Sequence, residues 1–188
     1  NIILNSYCNL KCNYCFADEY MEGAVKTSGK SMDYDFFMRE VLPKIKNSPV
    51  VNFMGGEPTL HPQFNEIFSN TLNAMQAYAG LGIFTNGLMP DKVLTLLQQV
   101  AGINGSIKRQ IQFSALVNWQ TAENTTDRNH ERCRHTAVTL LKSNGYSVTF
   151  SINLYSKKQD LHNQCREIDE IYQAVGLPKN QRYKTWVF

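Results

Sequence analysis

The chain contains no apolar run that approaches the roughly 20 residues of a membrane span, so we expect no membrane partner. The excess of positive over negative charge is also small, since the net charge is only +3 and the sequence pI about 8.6. That excess falls short of the strongly basic face of a nucleic-acid binder, and no nucleic-acid partner is expected. Cysteines number only five, and three of them lie in one short segment. A disulfide framework is therefore not expected, and a reducing cytoplasm is the predicted location.

The length of the chain bounds its domain organisation. Its 188 residues, 43% of them hydrophobic, suffice for one good core but are few for two domains. The sequence begins at Asn1 instead of a methionine, and it ends at Phe188 within a strand pattern. We therefore predict one core domain over residues 1–188, taken from a longer chain.

Apolar runs typical of strands alternate with helical patterns along the chain. The predicted strands are Ile2 to Asn5, Val50 to Met54, Leu81 to Thr85, Ile111 to Leu116, Ser147 to Leu154 and Tyr183 to Phe188. Five helical patterns lie between them, and Pro43 should kink or shorten the first. This alternation predicts an α/β fold, a parallel (β/α)6 partial TIM barrel, because right-handed crossovers curl the sheet the same way each time. A functional site is expected at the carboxyl ends of the strands.

Three cysteines, Cys8, Cys12 and Cys15, follow directly on the first predicted strand. Their spacing puts the thiolates on neither one helical stripe nor one strand face, so we expect a loop that turns three sulfurs inward. A cubane iron–sulfur cluster suits this loop, because three ligands leave one of its irons open for chemistry. Two alternatives remain from the cysteines alone. Cys12 and Cys15 could form a redox dithiol, or half of a zinc site that His61 or a distant cysteine completes.

A second motif, Gly55-Gly56-Glu57-Pro58, ends the second predicted strand. The glycines allow the backbone to approach a ligand closely, and Pro58 holds Glu57 in an extended conformation. These features would fix a carboxylate at the end of a strand, where it suits a cationic amine. The alternative is an ordinary glycine turn with a solvated glutamate.

Together these two motifs resemble those of the radical S-adenosylmethionine (SAM) superfamily. The family hallmark C-x3-C-x-aromatic-C is matched with Tyr14 in the aromatic place, and the second family motif, G-G-E-P, is matched by residues 55–58. A weaker match is Phe84-Thr85-Asn86-Gly87, which is similar to the T-N-G that ends the family's third strand. The resemblance extends over essentially the whole chain. Within the family, Cys8-Asn9-Leu10-Lys11-Cys12 resembles the branch that contains peptide maturases and the molybdenum-cofactor cyclase.

The resemblance implies a radical SAM enzyme with two cofactors. Cys8, Cys12 and Cys15 would ligate a [4Fe–4S] cluster, and SAM would chelate its fourth iron. The reduced cluster would cleave SAM to a 5′-deoxyadenosyl radical that abstracts hydrogen from a peptide or small-metabolite substrate. A one-electron donor such as a flavodoxin or ferredoxin is the implied partner.

The same resemblance implies a set of SAM-binding residues. They are Tyr14, Gly55, Gly56, Glu57, Pro58, Thr85, Asn86, Ser114, Arg128 and Asn153. Ser114 is expected where a polar residue ends the fourth strand, although many peptide-modifying relatives read S-x-D-G there and this chain reads Ser-Ala-Leu-Val. Asn153 is expected to bond the ribose. Arg128 would pair with the SAM carboxylate, the alternative being a solvated helix start.

A non-catalytic zinc- or iron–sulfur-binding structural module is the alternative function. A structural zinc site would supply a fourth protein ligand and would have no use for G-G-E-P. Cys133 and Cys165 lie in helical patterns, so we predict that they are core thiols. The four histidines share no metal-ligand spacing and are predicted to be surface or loop residues; they are His61, His130, His135 and His162.

Overall fold

The computed structural model describes most of the chain. The described residues are 1–10, 12, 15, 30–105, 110–120, 125–143, 147–153, 158–178, 182 and 184–187. Tyr14, proposed above as a SAM contact, lies outside them.

Six parallel strands form one sheet in which each strand pairs with its neighbours in sequence. The strands are β1 (Ile2–Ile3), β2 (Val50–Met54), β3 (Gly80–Thr85), β4 (Gln112–Asn118), β5 (Ser147–Asn153) and β6 (Lys184–Val187). Crossovers between parallel strands of one sheet are right-handed in nearly all proteins, and in a sequential order such crossovers curl the sheet the same way each time. The predicted α/β fold is confirmed, and the sheet is that of a partial TIM barrel.

In the part of the chain that the structure describes, five helical elements connect the strands. They are α1, built from consecutive segments Tyr34–Phe36, Phe37–Val41 and Leu42–Ile45, then α2 (Phe64–Ala74), α3 (Pro90–Asn104), α4 (Asp127–Lys142) and α5 (Lys158–Ala174). A short 3₁₀ turn, Pro58–Leu60, precedes α2. Side chains cap two helix starts, because Asp33 accepts a hydrogen bond from Phe36 N–H and Thr126 from Asn129 N–H.

Pro43 distorts α1 without ending it. The segment Phe37–Val41 is a π-turn, closed by a hydrogen bond from Leu42 N–H to the Phe37 carbonyl. Proline has no N–H and its ring crowds the carbonyl four residues earlier, so the wider turn lets the chain pass Pro43. The helix then continues to Ile45, and the predicted disturbance is a local widening.

The two faces of the sheet differ in burial. One face packs against the helices through a set of buried aromatic and aliphatic residues: Phe53, Leu81, Ile83, Phe113, Val117 and Phe150. Phe53 and Phe64 of α2, for example, pack edge to face with ring centroids 6.2 Å apart. The opposite face, here called the open face, carries half-buried residues, namely Asn52, Met54, Phe84, Ser114 and Leu116.

The carboxyl edge of the sheet brings the predicted site residues together. Parallel strands end at the same edge, so residues that follow β1, β2 and β3 become neighbours.

None of the helices in the described part of the chain combines the length and the apolar character that a membrane span requires.

Candidate functional site

The G-G-E-P backbone is bound to the segment that leads into Cys8. Gly56 N–H donates to the Asn5 carbonyl over 3.0 Å, and Glu57 N–H donates to the Tyr7 carbonyl over 2.9 Å. In return, the Asn5 side-chain amide donates to the Glu57 carbonyl over 2.9 Å. The pairing between β1 and β2 therefore continues past both strands and joins the two family motifs directly.

Both glycines are required for this close approach. A Cβ atom on Gly55 would lie 2.5 Å from the Asn5 carbonyl oxygen, and one on Gly56 would overlap the Tyr7 carbonyl. The sequence predicted that the glycines bring the backbone close to a ligand. In the structure they bring it close to the strand end beside the cysteines.

The Glu57 carboxylate is buried and accepts four hydrogen bonds. Glu57 is only 1% exposed to solvent. Oε1 accepts from Thr59 Oγ1 at 2.5 Å, from Thr59 N–H at 3.2 Å and from Thr85 Oγ1 at 2.9 Å. Oε2 accepts from Asn86 N–H at 2.7 Å. The alternative of a solvated glutamate is thus wrong, whereas the extended conformation before Pro58 is confirmed by φ −131° and ψ 109°.

Two effects act on the charge of this carboxylate. Burial raises the pKa of Glu57 above its usual value, and the four donors act in the opposite direction without cancelling that rise. Among the described residues, no ion pair involves Glu57. Its hydrogen-bond partners among those residues are all neutral, which leaves the carboxylate suited to a cationic ligand group.

Hydrogen bonds and close packing fix the Thr85-Asn86-Gly87 turn. Thr85 Oγ1 donates to Glu57 and also accepts from Gly87 N–H at 3.1 Å. Gly87 has a φ of +73°, and a Cβ there would lie 3.2 Å from the Cys133 sulfur. Thr136 of α4 donates to the Gly87 carbonyl over 2.7 Å. The turn therefore joins β3, α4 and the Glu57 carboxylate.

Asn86 connects this turn to the first cysteine. Its side-chain Oδ1 accepts from Leu88 N–H at 3.0 Å. Its Nδ2 donates to Asn9 Oδ1 over 2.8 Å and to Cys8 Sγ over 3.5 Å. The side-chain amide of Asn86 is thus fully engaged within the protein.

The three predicted cluster cysteines are half-buried, and none of them forms a disulfide. Cys15 N–H donates to the Cys12 carbonyl over 3.1 Å, which makes a tight turn between those two residues. Burial raises the pKa of the Cys8 thiol to about 11, and the negative charges of Glu57 and Cys12 add to this rise. A hydrogen bond from the Leu10 backbone and one from Asn86 lower it in part.

The three half-buried cysteines are compatible with a cluster in which each of them binds a different iron. In the described ranges of the chain, no three His, Cys, Asp or Glu side chains converge closely enough to hold one ion. Zinc requires such convergence, because four ligands meet at one atom. In a cubane each cysteine binds a different iron, so three half-buried thiols spread along one loop suit the larger group.

His61 is not available as a zinc ligand. It is only 1% exposed, but it lies in the loop between the 3₁₀ turn and α2, so the prediction of a surface or loop residue is met by the loop. Its Nδ1 accepts from Gln63 N–H at 3.1 Å, and its Nε2 lies 2.8 Å from the Met32 carbonyl. Both ring nitrogens are therefore occupied, with the proton on Nε2.

Three other residues were predicted to contact SAM, namely Ser114, Arg128 and Asn153. Ser114 does not end its strand, because β4 continues to Asn118 and Ser114 pairs with Gly82 in the middle of the sheet. The alternation that places Phe113 and Ala115 on the packed face extends to Val117, beyond the predicted end at Leu116. Arg128 is exposed in the first turn of α4. Asn153 is the last residue of β5.

Other predictions concern residues outside the motifs. Cys133 is fully buried and Cys165 packs against the core, as expected of core thiols. His135 and His162 are exposed helical residues. His130 is neither a surface nor a loop residue, because its Nε2 lies 3.3 Å from Glu167 Oε2 between α4 and α5.

Sequence reasoning missed two groups of residues. Asn5 and Asn9 flank Cys8 and bond the other motifs; their only signal was an amide side chain next to a candidate ligand. Trp119 donates its indole N–H to Glu167 Oε2 over 3.0 Å and packs edge to face against His130. This second group ties the end of β4 to two helices, and no short-range pattern predicts it.

A parallel α/β sheet with a thiol-bearing loop and a buried carboxylate at its carboxyl edge defines an α/β partial barrel with a candidate site at that edge. The model of the Radical SAM superfamily matches residues 2–153, and the chain belongs to that superfamily. The family assignment made from the motifs is therefore confirmed.

Several curated proteins are similar to this chain. The tungsten-containing aldehyde ferredoxin oxidoreductase cofactor-modifying protein of Pyrococcus furiosus is 34% identical over 104 residues, which cover 52% of this chain and 26% of that protein. Molybdenum cofactor biosynthesis protein 1 of Mus musculus is 30% identical over 108 residues, covering 55% and 16%. A GTP 3′,8-cyclase of Actinobacillus pleuropneumoniae is 29% identical over 108 residues, covering 55% and 31%. The matched region thus spans less than a third of each relative, and the relatives confirm the predicted likeness to the molybdenum-cofactor branch.

Proposed function

We propose that this chain is the core domain, residues 1–188, of a longer radical SAM enzyme that holds a [4Fe–4S] cluster and SAM at the carboxyl edge of its sheet. The observation that carries the proposal is the Glu57 carboxylate. It is buried, it accepts four hydrogen bonds from neutral groups, and it is tied to the segment that leads into Cys8. A buried carboxylate with no cationic partner among the described residues is a binding feature for an amine.

Each motif has a distinct task in this proposal. Cys8, Cys12 and Cys15 hold the cluster, and the strand end at Gly55 to Glu57 receives the ammonium group of SAM. When bound, the cluster and SAM supply the radical that abstracts a substrate hydrogen; the protein orients them and excludes competing reactions. Thr85 and Asn86 contribute by holding the carboxylate of Glu57.

Four further SAM contacts are proposed from the resemblance. They are Tyr14, Ser114, Arg128 and Asn153. The position of Ser114 on the open face of β4, level with Gly82, would place its contact deeper in the sheet than a strand-end contact.

The substrate is proposed as a peptide or a small metabolite. The similarity to proteins named for cofactor modification and for a GTP cyclase supports a small, polar metabolite as the first class to test. A one-electron donor of the flavodoxin or ferredoxin type would reduce the cluster.

The test is anaerobic reconstitution with iron and sulfide, followed by reduction in the presence of SAM. We expect about four irons and four sulfides per chain, and slow formation of methionine and 5′-deoxyadenosine even without substrate. A chain that takes up one zinc in preference to iron would instead support the structural module. A chain that loads a full cluster but yields no 5′-deoxyadenosine in its full-length form would contradict the enzyme proposal.

A further inference from the structure

We infer that Asn86 is a positioning residue for the cluster: its side-chain amide donates an N–H···S hydrogen bond to Cys8 and raises the reduction potential of the cluster that Cys8 holds. The inference rests on the proposed function, because it requires a cluster on Cys8. The family resemblance implied only that Asn86 contacts SAM. The geometry points its amide at a sulfur instead.

The hydrogen bond follows from the donor count at Asn86. An amide NH₂ group has two hydrogens. Nδ2 lies 2.8 Å from Asn9 Oδ1 and 3.5 Å from Cys8 Sγ, so each hydrogen has one acceptor. The longer distance to sulfur reflects its larger radius.

The orientation of the amide is fixed by its other end. Leu88 N–H is a donor and requires an acceptor, so the oxygen of the Asn86 amide must face Leu88 and the NH₂ must face Cys8. The Asn86 backbone is fixed as well, because its N–H donates to Glu57 Oε2 over 2.7 Å. Asn86 is only 6% exposed. Water therefore competes weakly for the contact, and a hydrogen bond in such surroundings is strengthened electrostatically.

The consequence for the cluster is a change in potential. Reduction adds one negative charge to the cluster and its thiolate ligands, and donors that face the sulfur stabilise that charge. Hydrogen bonds to the sulfurs are among the factors that set iron–sulfur potentials. Loss of the Asn86 donor should therefore make the cluster harder to reduce.

The experiment is a redox titration of the reconstituted protein, followed by low-temperature electron paramagnetic resonance of the reduced cluster. Asn86→Leu removes the donor without adding charge. At a given potential we expect the ratio of reduced to oxidised cluster to fall about tenfold, which corresponds to a midpoint about 59 mV lower for one electron. Asn70→Leu removes an amide that bonds Tyr34 and the Glu66 carbonyl on α2, and its midpoint should equal that of the wild type.

Leucine cannot accept the hydrogen bond from Leu88 N–H. If this loss prevents Asn86→Leu from folding, a second pair of variants tests the effect of the Asn86 donor on the potential. Asn86→Asp keeps that acceptor, loses the donor and adds a charge near Cys8. Asn9→Asp adds a charge beside the same cysteine, since its Oδ1 lies 3.9 Å from Cys8 Sγ, and keeps the Asn86 donor. The midpoint of Asn86→Asp should fall further than that of Asn9→Asp.

The outcomes separate this inference from the proposed function. If the wild type shows no cluster signal, the proposed function fails and the inference fails with it. If the wild type shows a normal signal and Asn86→Leu has an unchanged midpoint, only the inference is overturned. Equal midpoints in Asn86→Asp and Asn9→Asp would overturn it in the same way.

Discussion

The backbone N–H of Asn86 donates a 2.7 Å hydrogen bond to Oε2 of Glu57. This contact joins the residue that follows β3 to the carboxylate that follows β2, although the two strands already pair along their length. Because the Asn86 side chain also reaches Cys8, the three family motifs share one hydrogen-bonded network. A substitution in one motif should therefore alter the hydrogen bonds of the other two.

Glu57→Gln should destabilise the fold by about 1–3 kcal/mol, because its NH₂ would face the Asn86 N–H and one buried donor would lose its acceptor. The loaded variant should also bind SAM roughly tenfold to a hundredfold more weakly, as expected for loss of a charged hydrogen bond of about 1.5–3 kcal/mol. Urea unfolding and calorimetry measure the two effects. A variant with wild-type stability and SAM affinity would contradict the assigned role of Glu57.

The pH dependence of that stability difference has a defined sign. Burial raises the pKa of Glu57 above 4.5 in the folded protein, so the folded state binds its proton more tightly than the unfolded state does. The stability that this group contributes is then fully present below about pH 4.5 and declines as the pH rises through the folded pKa. The advantage of the wild type over Glu57→Gln should be largest at low pH; a difference that grows with rising pH would reverse the assignment.

Gly56→Ala should destabilise the protein by about 1–3 kcal/mol, because the added methyl group overlaps the Tyr7 carbonyl. Gly102→Ala is the matched control. A Cβ on Gly102 meets nothing within 4 Å, and glycine inside a helix such as α3 costs about 1 kcal/mol relative to alanine. Thermal unfolding should show opposite shifts for the two variants, and equal shifts would remove the close contact from the explanation.

Cys12→Ala should abolish stable cluster binding and leave the fold nearly unchanged, because Cys12, a proposed cluster ligand, lies on a loop outside the sheet. Iron and sulfide content should fall sharply, whereas helical circular dichroism should change little. Cys165→Ala changes a thiol of α5 and should retain the cluster. Nearly full iron content in purified Cys12→Ala would exclude Cys12 from the ligand set.

Cys133 should resist thiol reagents in the folded protein. It is fully buried, and burial raises its pKa to about 12, so the reactive thiolate is scarce near neutral pH. Alkylation followed by mass spectrometry should label Cys133 only after denaturation and Cys165 earlier. Rapid labelling of native Cys133 would show that α4 opens away from the Gly87 turn.

The apolar runs predicted where the strands lie, and they predicted the ends of the strands less well. β2 has the predicted bounds, whereas β4 extends to Asn118 because alternation between its two faces continues beyond Leu116. The role of Glu57 was only partly predictable. Its position at a strand end follows from local sequence, but its burial depends on donors from Thr85 and Asn86, which are 28 and 29 residues away. The bond from Asn86 to Cys8 spans 78 residues and has no local signal.

The sequential order of the strands also limits when the site can be completed during synthesis. Each strand pairs with the one made before it, so the hydrogen bonds that hold Glu57 cannot all form while β3 is still unmade. At that stage the Glu57 carboxylate lacks Thr85 and Asn86, two of the three residues that donate to it. The full set of donors to this carboxylate is therefore present only after β3 has been made and has docked onto the sheet.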